Sequence, residues 1–264
     1  MIKNYTTYKK TYFTLAFFII TFFGYSQTTT TFTSNSTWVC PAGVTSITIE
    51  AWGGGGNGGG ANGDLHAGGG GAGGAYVKNN SLSVTPGASY NIIVGSEIIG
   101  DYGFGRNGIS SSFALTATPA VLLINAVGGN GGIPATNTNP YANGGASVTT
   151  GNIGGTTSDI YGLPGTAGTA AKAGDGGNSG GGALGGIGLD TQFTNPGSLY
   201  GGGGSGGYTT ANGPSRIGGT GAGGKVVITW SYLDFKGTTN NDYVDFGNNN
   251  SLTNPLGAIK LFVF

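Results

Sequence analysis

The sequence predicts an all-β protein in which a β-sandwich-like frame carries long glycine-rich segments, preceded by an N-terminal signal helix. Two observations predict this class. Strand-like runs with a two-residue apolar period flank the part of the chain that holds most of its glycine. Outside segment 1–26, no part of the sequence shows an apolar stripe with the 3.6-residue period of a helix.

The two runs that frame the glycine-rich part predict half-buried strands. In 44–52, Ile47, Ile49 and Ala51 fall on one face, which is the period of a strand with one side in a core. In 225–230, apolar residues again fall on alternate positions, at Val226 and Ile228 and at Trp230. Shorter strand-like runs lie between the two frames, at 75–77, 81–84, 90–94, 111–115 and 120–127.

Glycine accounts for 59 of the 264 residues, and nearly all of it lies between Gly53 and Gly224. Its spacing is irregular and proline is scarce, which excludes a collagen triple helix, since that needs glycine at every third residue. Aromatic residues make up 11% of the chain, which is too high a content for a solvated linker. Two interpretations stay open: bare backbones packed together as polyglycine-II-type strands, or mobile loops on a β scaffold.

Segment 1–26 predicts export. Lys3, Lys9 and Lys10 precede an apolar run at 12–23, and small residues follow it before a cleavage site after Ser26. A helix that spans a bilayer needs about 20 apolar residues, and this run is shorter. We expect a cleaved signal peptide at 1–26, with an uncleaved anchor as the alternative. The mature chain would be secreted or held on the outer surface of a bacterial cell, with no stable membrane span.

The charge of the chain indicates which partners it could bind, and its cysteine content indicates whether disulfides hold it together. Removing the three leader lysines from 10 basic residues leaves 7 against 10 acidic residues, a net charge of −3. Without a basic patch, nucleic acid is not an expected partner. Cys40 is the single cysteine, so no internal disulfide framework is expected in the exported chain.

The motifs that suggest enzyme chemistry are incomplete. Gly53-x-Gly55-x-x-Gly58 follows a strand, but no helix follows to hold a dinucleotide phosphate. His66, the single histidine, is expected in a solvated loop and cannot supply a catalytic triad or a zinc site by itself. We therefore expect no enzyme activity, no cofactor and no metal. The aspartates of the glycine-rich part are expected to fill turns rather than bind calcium: Asp64, Asp101, Asp159, Asp175 and Asp190.

Aromatic side chains in the glycine-rich part are the candidate ligand-binding residues. Aromatic rings stack on sugars and bury area at a low cost in conformational entropy. Core packing or simple exposure is the alternative for each of them. The candidates are Tyr102, Phe104, Tyr141, Tyr161, Tyr200 and Tyr208.

Two family resemblances follow from specific runs. The run 32–56, from Phe32 through Trp38-Val39-Cys40-Pro41-Ala42-Gly43 to Gly56, and the ending 221–230 resemble a glycine-rich domain of secreted bacterial proteins and some phage tail adhesins. This resemblance extends over 27–231 and implies an exported adhesive or structural module, without a catalytic role, that contacts cell-surface or matrix glycans or proteins.

The run 233–248 is similar to the first strands of laminin-G or concanavalin-A-like jelly rolls. It implies an incomplete lectin-like stub at 232–264. The alternative function is therefore a carbohydrate-binding protein whose lectin-like C-terminal domain is truncated in this chain.

Overall fold

The computed structural model describes residues 25–117, 119–156 and 159–233. Nearly all of the predicted signal peptide and of the lectin-like stub lies outside these residues. The described chain forms eight strands and no helix, so none of it could cross a membrane as a helix. The strands are β1 Tyr25–Phe32, β2 Ser36–Val39, β3 Ser46–Trp52, β4 Tyr76–Ser83, β5 Ser89–Ile93, β6 Ser111–Leu115, β7 Val121–Ala126 and β8 Lys225–Leu233.

The strands form two antiparallel four-stranded sheets, in the orders β1-β8-β3-β4 and β2-β5-β6-β7. An aromatic core joins the inner faces of the two sheets. The Trp38 ring lies 5.6 Å from that of Trp230 and 6.0 Å from that of Phe113, measured between centroids. Tyr90 stacks on Phe113 at 4.7 Å. The predicted all-β, sandwich-like class is confirmed.

The predicted faces of the framing strands are confirmed as well. Ile47, Ile49 and Ala51 of β3 are buried, and so are the alternate apolar residues of β8. The runs predicted at 75–77 and 81–84 belong to one strand, β4, whose pairing with β3 has an irregularity between Ile47 and Ile49. The sequence did not predict β1, because its Thr-rich run lacks apolar alternation.

Beyond the sandwich, the chain continues into a bundle of extended segments bonded side by side. Around segment 67–75, successive backbone N–H groups donate to different neighbours: Ala72 to Asn130, Gly73 to Leu163 and Gly74 to Gly201. Three residues further back the same three neighbours recur, since Gly69, Gly70 and Gly71 donate to Ile133, Thr166 and Gly204. A period of three residues is that of the polyproline-II helix, the conformation of polyglycine II.

The carbonyls of segment 67–75 bond three further segments. They accept from Gly56 in 53–61, from Gly145 in 142–147 and from Gly177 in 173–180. Six segments therefore surround this one, which gives the bundle a hexagonal cross-section. The bundle consists of the segments 53–61, 67–75, 95–101, 105–109, 127–135, 142–147, 160–168, 173–180, 183–189, 195–198, 201–209 and 216–224.

Glycine is needed here because the backbones are too close for a side chain. A Cβ added at Gly70 would lie 2.0 Å from the Asp175 carbonyl oxygen, and one added at Gly58 would lie 1.8 Å from that of Ser205. Neither residue has a positive φ, so close approach rather than backbone strain excludes larger residues. Of the two interpretations that the sequence left open, the packed-backbone arrangement is the one observed.

The bundle has a loop end, which lies away from the sandwich. There, six loops join neighbouring antiparallel segments: 62–66, 102–104, 136–141, 169–172, 190–194 and 210–215. At the other pole of the molecule Tyr25 pairs with Leu233, where β1 begins and β8 ends. Segment 216–224 runs from the loop end into β8, which ends at the other pole. At about 3.1 Å per residue in the segment and about 3.3 Å per residue in β8, the two poles lie roughly 55 Å apart.

Candidate contact surface at the loop end

Side-chain hydrogen bonds fix the loops of the loop end to one another. The Thr209 hydroxyl accepts from the His66 backbone N–H at 2.9 Å and donates to the Gly63 carbonyl at 2.5 Å. The Asp64 carboxylate accepts from the Asn212 N–H at 2.9 Å. Loops 62–66 and 210–215 are therefore held together, although they lie far apart in the chain.

Two further loops are attached in the same way. Gln192 accepts a hydrogen bond from Arg216, so loop 190–194 is joined to the start of segment 216–224. The Tyr208 hydroxyl donates to the Ala170 carbonyl at 3.2 Å, which holds loop 169–172. These contacts order four of the six loops. The other two are held by bundle backbones, since the Gly60 N–H donates to the Gly103 carbonyl and the Ala67 N–H to the Pro140 carbonyl. A surface ordered in advance loses less entropy on binding.

The structure separates the six predicted ligand-binding aromatics. Tyr102, Phe104 and Tyr141 lie at the loop end and are exposed, with Phe104 the most open at 72%. Tyr161 and Tyr200 lie at the other end of the bundle, next to the sandwich, and both are half-buried. The loop end thus brings together three of the six candidates.

Tyr208 belongs to the core of the bundle, not to its surface. Its side chain is only 6% exposed and packs with Ala67 and Ala173. Its segment, 201–209, is surrounded by other segments, so a large side chain there has to point between backbones or into a loop. The proposed ligand contact of Tyr208 is therefore corrected to a packing role.

Three exposed apolar residues at the loop end were not among the sequence candidates. They are Leu65 in loop 62–66, Phe193 in loop 190–194 and Ile217 just after loop 210–215, with Phe193 76% exposed. The flanks of the bundle also expose apolar side chains, such as Leu163 and Leu184. The loop end differs in holding exposed aromatic rings on several loops at one pole of the molecule, as contact surfaces often do.

The expected solvated position of His66 is wrong. The residue is 6% exposed, and its Nδ1 lies 2.5 Å from the Asn62 carbonyl oxygen. The backbone turn at 62–66 folds over the ring, and sequence alone could not reveal this because Thr209, which fixes the turn, is distant in the chain. Within the described ranges, no three His, Cys, Asp or Glu side chains cluster closely enough to hold a metal ion.

Several of the loop aspartates have structural partners. Asp175 pairs with Lys172 at 2.8 Å and accepts from the Gly188 N–H at 2.7 Å. Asp101 accepts from the Tyr102 N–H at 2.6 Å. These carboxylates fill turn and segment hydrogen bonds, as predicted for them from the sequence.

A second aromatic cluster lies where the sandwich meets the bundle. Lys225 Nζ sits 4.1 Å from the Trp52 ring centroid and 4.6 Å from that of Tyr200. The Tyr76 hydroxyl donates to Glu50, and burial, this bond and the Glu50 charge together raise the pKa of Tyr76 well above its usual range. Because the Lys225 ammonium already covers the Trp52 and Tyr200 rings, this cluster stabilises the junction between the sandwich and the bundle.

Comparison with known proteins supports the interpretation of the glycine-rich part. A family model described as "Glycine-rich domain" matches residues 29–231. No curated protein matches the chain.

Proposed function

Because the chain belongs to the glycine-rich domain family over residues 29–231, we propose that it is an exported, non-enzymatic adhesive module. In this proposal the glycine bundle is a rigid spacer, and the loop end makes the contact. The observation that carries the proposal is the position of the two poles. The chain enters and leaves the fold beside the Tyr25–Leu233 pair, and the exposed aromatics lie at the opposite pole.

The bundle suits the spacer role because it cannot easily bend. Each interior backbone is bonded to neighbours on every side, with a repeat of three residues. Bending the bundle would stretch several of these bonds at once, and each contributes about 1 kcal/mol. Whatever the chain is attached to at the Tyr25–Leu233 pole, the loops would be held roughly 55 Å away from it.

The loop end suits contact with glycans or proteins of a cell surface or matrix. Tyr102, Tyr141 and Phe104 offer ring faces that stack on sugars or fill apolar pockets, and each has few rotatable bonds to fix. A mature net charge of −3, without a basic patch, does not favour nucleic acid.

The lectin-like alternative depends on residues 232–264. All but Tyr232 and Leu233 lie outside the described residues, and these two continue β8 rather than begin a new domain. A carbohydrate-binding C-terminal domain therefore stays a prediction from the sequence.

Binding of labelled full-length protein to a glycan array and to immobilised matrix proteins tests the proposal. The variant Tyr102→Ser/Phe104→Ser/Tyr141→Ser should lose the binding that the parent protein shows. The matched control Leu163→Ser/Leu184→Ser removes exposed apolar side chains from the flanks of the bundle and should retain it. Equal losses in the two variants, or no binding by the parent protein, would contradict the loop end as a contact surface.

A further inference from the structure

Three of the four sheet edges in the sandwich are protected against pairing with another chain. Thr156 and Ile160 cover β4: the Thr156 N–H donates to the Lys78 carbonyl at 3.0 Å, and the backbones of Ile160 and Tyr76 bond each other. The backbone of Ile153 bonds that of Asn125 and covers part of β7. The strand β2 is only four residues long. Covering an edge and shortening it are two of the ways in which natural proteins avoid association through sheets.

The fourth edge, β1, has none of these protections. It is eight residues long, contains no charge and no proline, and pairs with β8 without a register shift from Tyr25 to Phe32. Within the described chain, no backbone bond reaches β1 from its outer side. Alternate residues of such a strand present N–H and C=O groups ready for another strand.

We propose that β1 pairs antiparallel with β1 of a second copy, so that the two β1-containing sheets join into one continuous sheet of eight strands. A two-fold contact requires an edge that complements itself. The run 28–31 meets this condition: with Thr29 opposite Thr29 or Thr30 opposite Thr30, at least three threonines of the run face threonine, and the neighbouring position faces Gln27 or Phe32. Threonine pairs across strands contribute to sheet stability, and Thr29 already makes one with Thr229, at 3.1 Å between hydroxyls.

The same edge carries no charge that would oppose the contact. The net charge of the mature chain is only −3, so long-range repulsion between copies is weak. Cleavage after Ser26 would leave the part of β1 from Gln27 to Phe32 for the pairing. Since β1 belongs to the sandwich, the dimer would leave both loop ends free. The inference is therefore independent of the proposed function.

The oligomeric state of the full exported chain, measured by light scattering over a range of concentrations, tests this contact. Thr29 and Thr31 are exposed on one face of β1, so the variant Thr29→Lys/Thr31→Lys places like charges together in every central register. We expect the dimer dissociation constant to rise about tenfold or more. Thr29→Glu/Thr31→Glu should do the same, and an equimolar mixture of the two variants should form dimers again.

The control Val227→Lys/Thr229→Lys places the same charges on β8, opposite the same two threonines but one strand further from the edge. This variant should remain dimeric. Circular dichroism and the melting temperature establish that each variant is folded. A parent protein that stays monomeric at all concentrations would overturn the proposal. So would lysine variants that stay folded and dimeric, which would place the contact on another surface.

Discussion

Replacing a single interior glycine by alanine should destabilise the whole fold, and Gly70 is the sharpest position for this test. An alanine Cβ there would lie 2.0 Å from the Asp175 carbonyl oxygen, whereas ordinary contacts begin at 3.4 Å. Segments 67–75 and 173–180 would have to move apart by the difference between these two distances. Neither can retreat freely, because each is bonded to further segments on its other sides.

The magnitude follows from the bonds that this shift would stretch. Gly174 and Gly177 donate across the contact to Gly68 and Gly71, and Asp175 itself accepts from Thr166. Three bonds at about 1 kcal/mol each, with overpacking that costs about 1–3 kcal/mol, predict a loss of about 4–6 kcal/mol. For a domain of this size the melting temperature should fall by roughly 8–24 °C.

The matched control is Gly103→Ala in loop 102–104. No atom lies within 4 Å of a Cβ added at Gly103, and its φ is not in the left-handed range. Alanine there should leave the melting temperature unchanged or raise it slightly, because it restricts the unfolded chain. Thermal unfolding followed by calorimetry or circular dichroism compares the two variants. If Gly70→Ala has the same melting temperature as the parent protein and Gly103→Ala, close packing at Gly70 is refuted.

Three further predictions concern the ends of the chain and one titrating group. The N-terminal sequence of secreted protein should begin near Gln27, and full-length chain in a membrane fraction would contradict the predicted signal peptide. Truncation after Leu233 should leave the melting temperature nearly unchanged, because β8 ends there, and should improve solubility by removing the apolar run at 259–264. A large loss of stability would show that 234–264 contributes to the fold. Burial and Glu50 raise the pKa of Tyr76 in the folded state, so its contribution to stability is complete below about pH 10 and declines above it. Denaturation at rising pH should therefore show a smaller decline for Tyr76→Phe than for the parent protein or the exposed control Tyr102→Phe.

The sequence predicts the sandwich well because the apolar residues that alternate along its strands are the ones that the core buries. Ile47 and Ile49 alternate with polar residues, and a sheet with one buried face is the simplest structure that uses this pattern. The strand β1 escaped prediction because its partner, β8, lies at the far end of the described chain and its own threonines carry no apolar signal. The run 25–32 forms a strand because it pairs with the distant strand β8, and not because of a hydrophobic pattern in its own residues.

The glycine spacing in the sequence is irregular because the number of neighbouring backbones differs from one bundle segment to the next. Segment 160–168 has one glycine in three, at Gly162, Gly165 and Gly168, and each of these faces segment 67–75. Segment 127–135 has two in three near its start, since it contacts more neighbours. Interior segments such as 53–61 are almost entirely glycine. The local frequency of glycine therefore reports how many sides of a segment are covered.

The contact surface was harder to predict than the fold, because exposure depends on this three-dimensional arrangement. Tyr208 and Tyr141 occupy similar sequence surroundings near a loop. The first lies near the end of an interior segment and is buried, whereas the second precedes an outer segment and is exposed. The number of glycines in each three-residue turn of the neighbouring bundle segment would have distinguished the two tyrosines. A segment with glycine at all three positions of the turn has other backbones on every side and no face open to solvent.

The bundle cannot be a folding unit by itself, and this explains why the glycine-rich part is framed by strands. Ordering glycine costs more backbone entropy than ordering any other residue, and hydrogen bonds exchanged with water return only about 1 kcal/mol each. The apolar clusters within the bundle are small, such as Ala61 with Ala135 and Ala142. The main hydrophobic core lies in the sandwich, around Trp38 and Phe113. Because β3 and β8 continue directly into segments of the bundle, that core fixes the register of the first backbones, and the remaining segments then add to an ordered template.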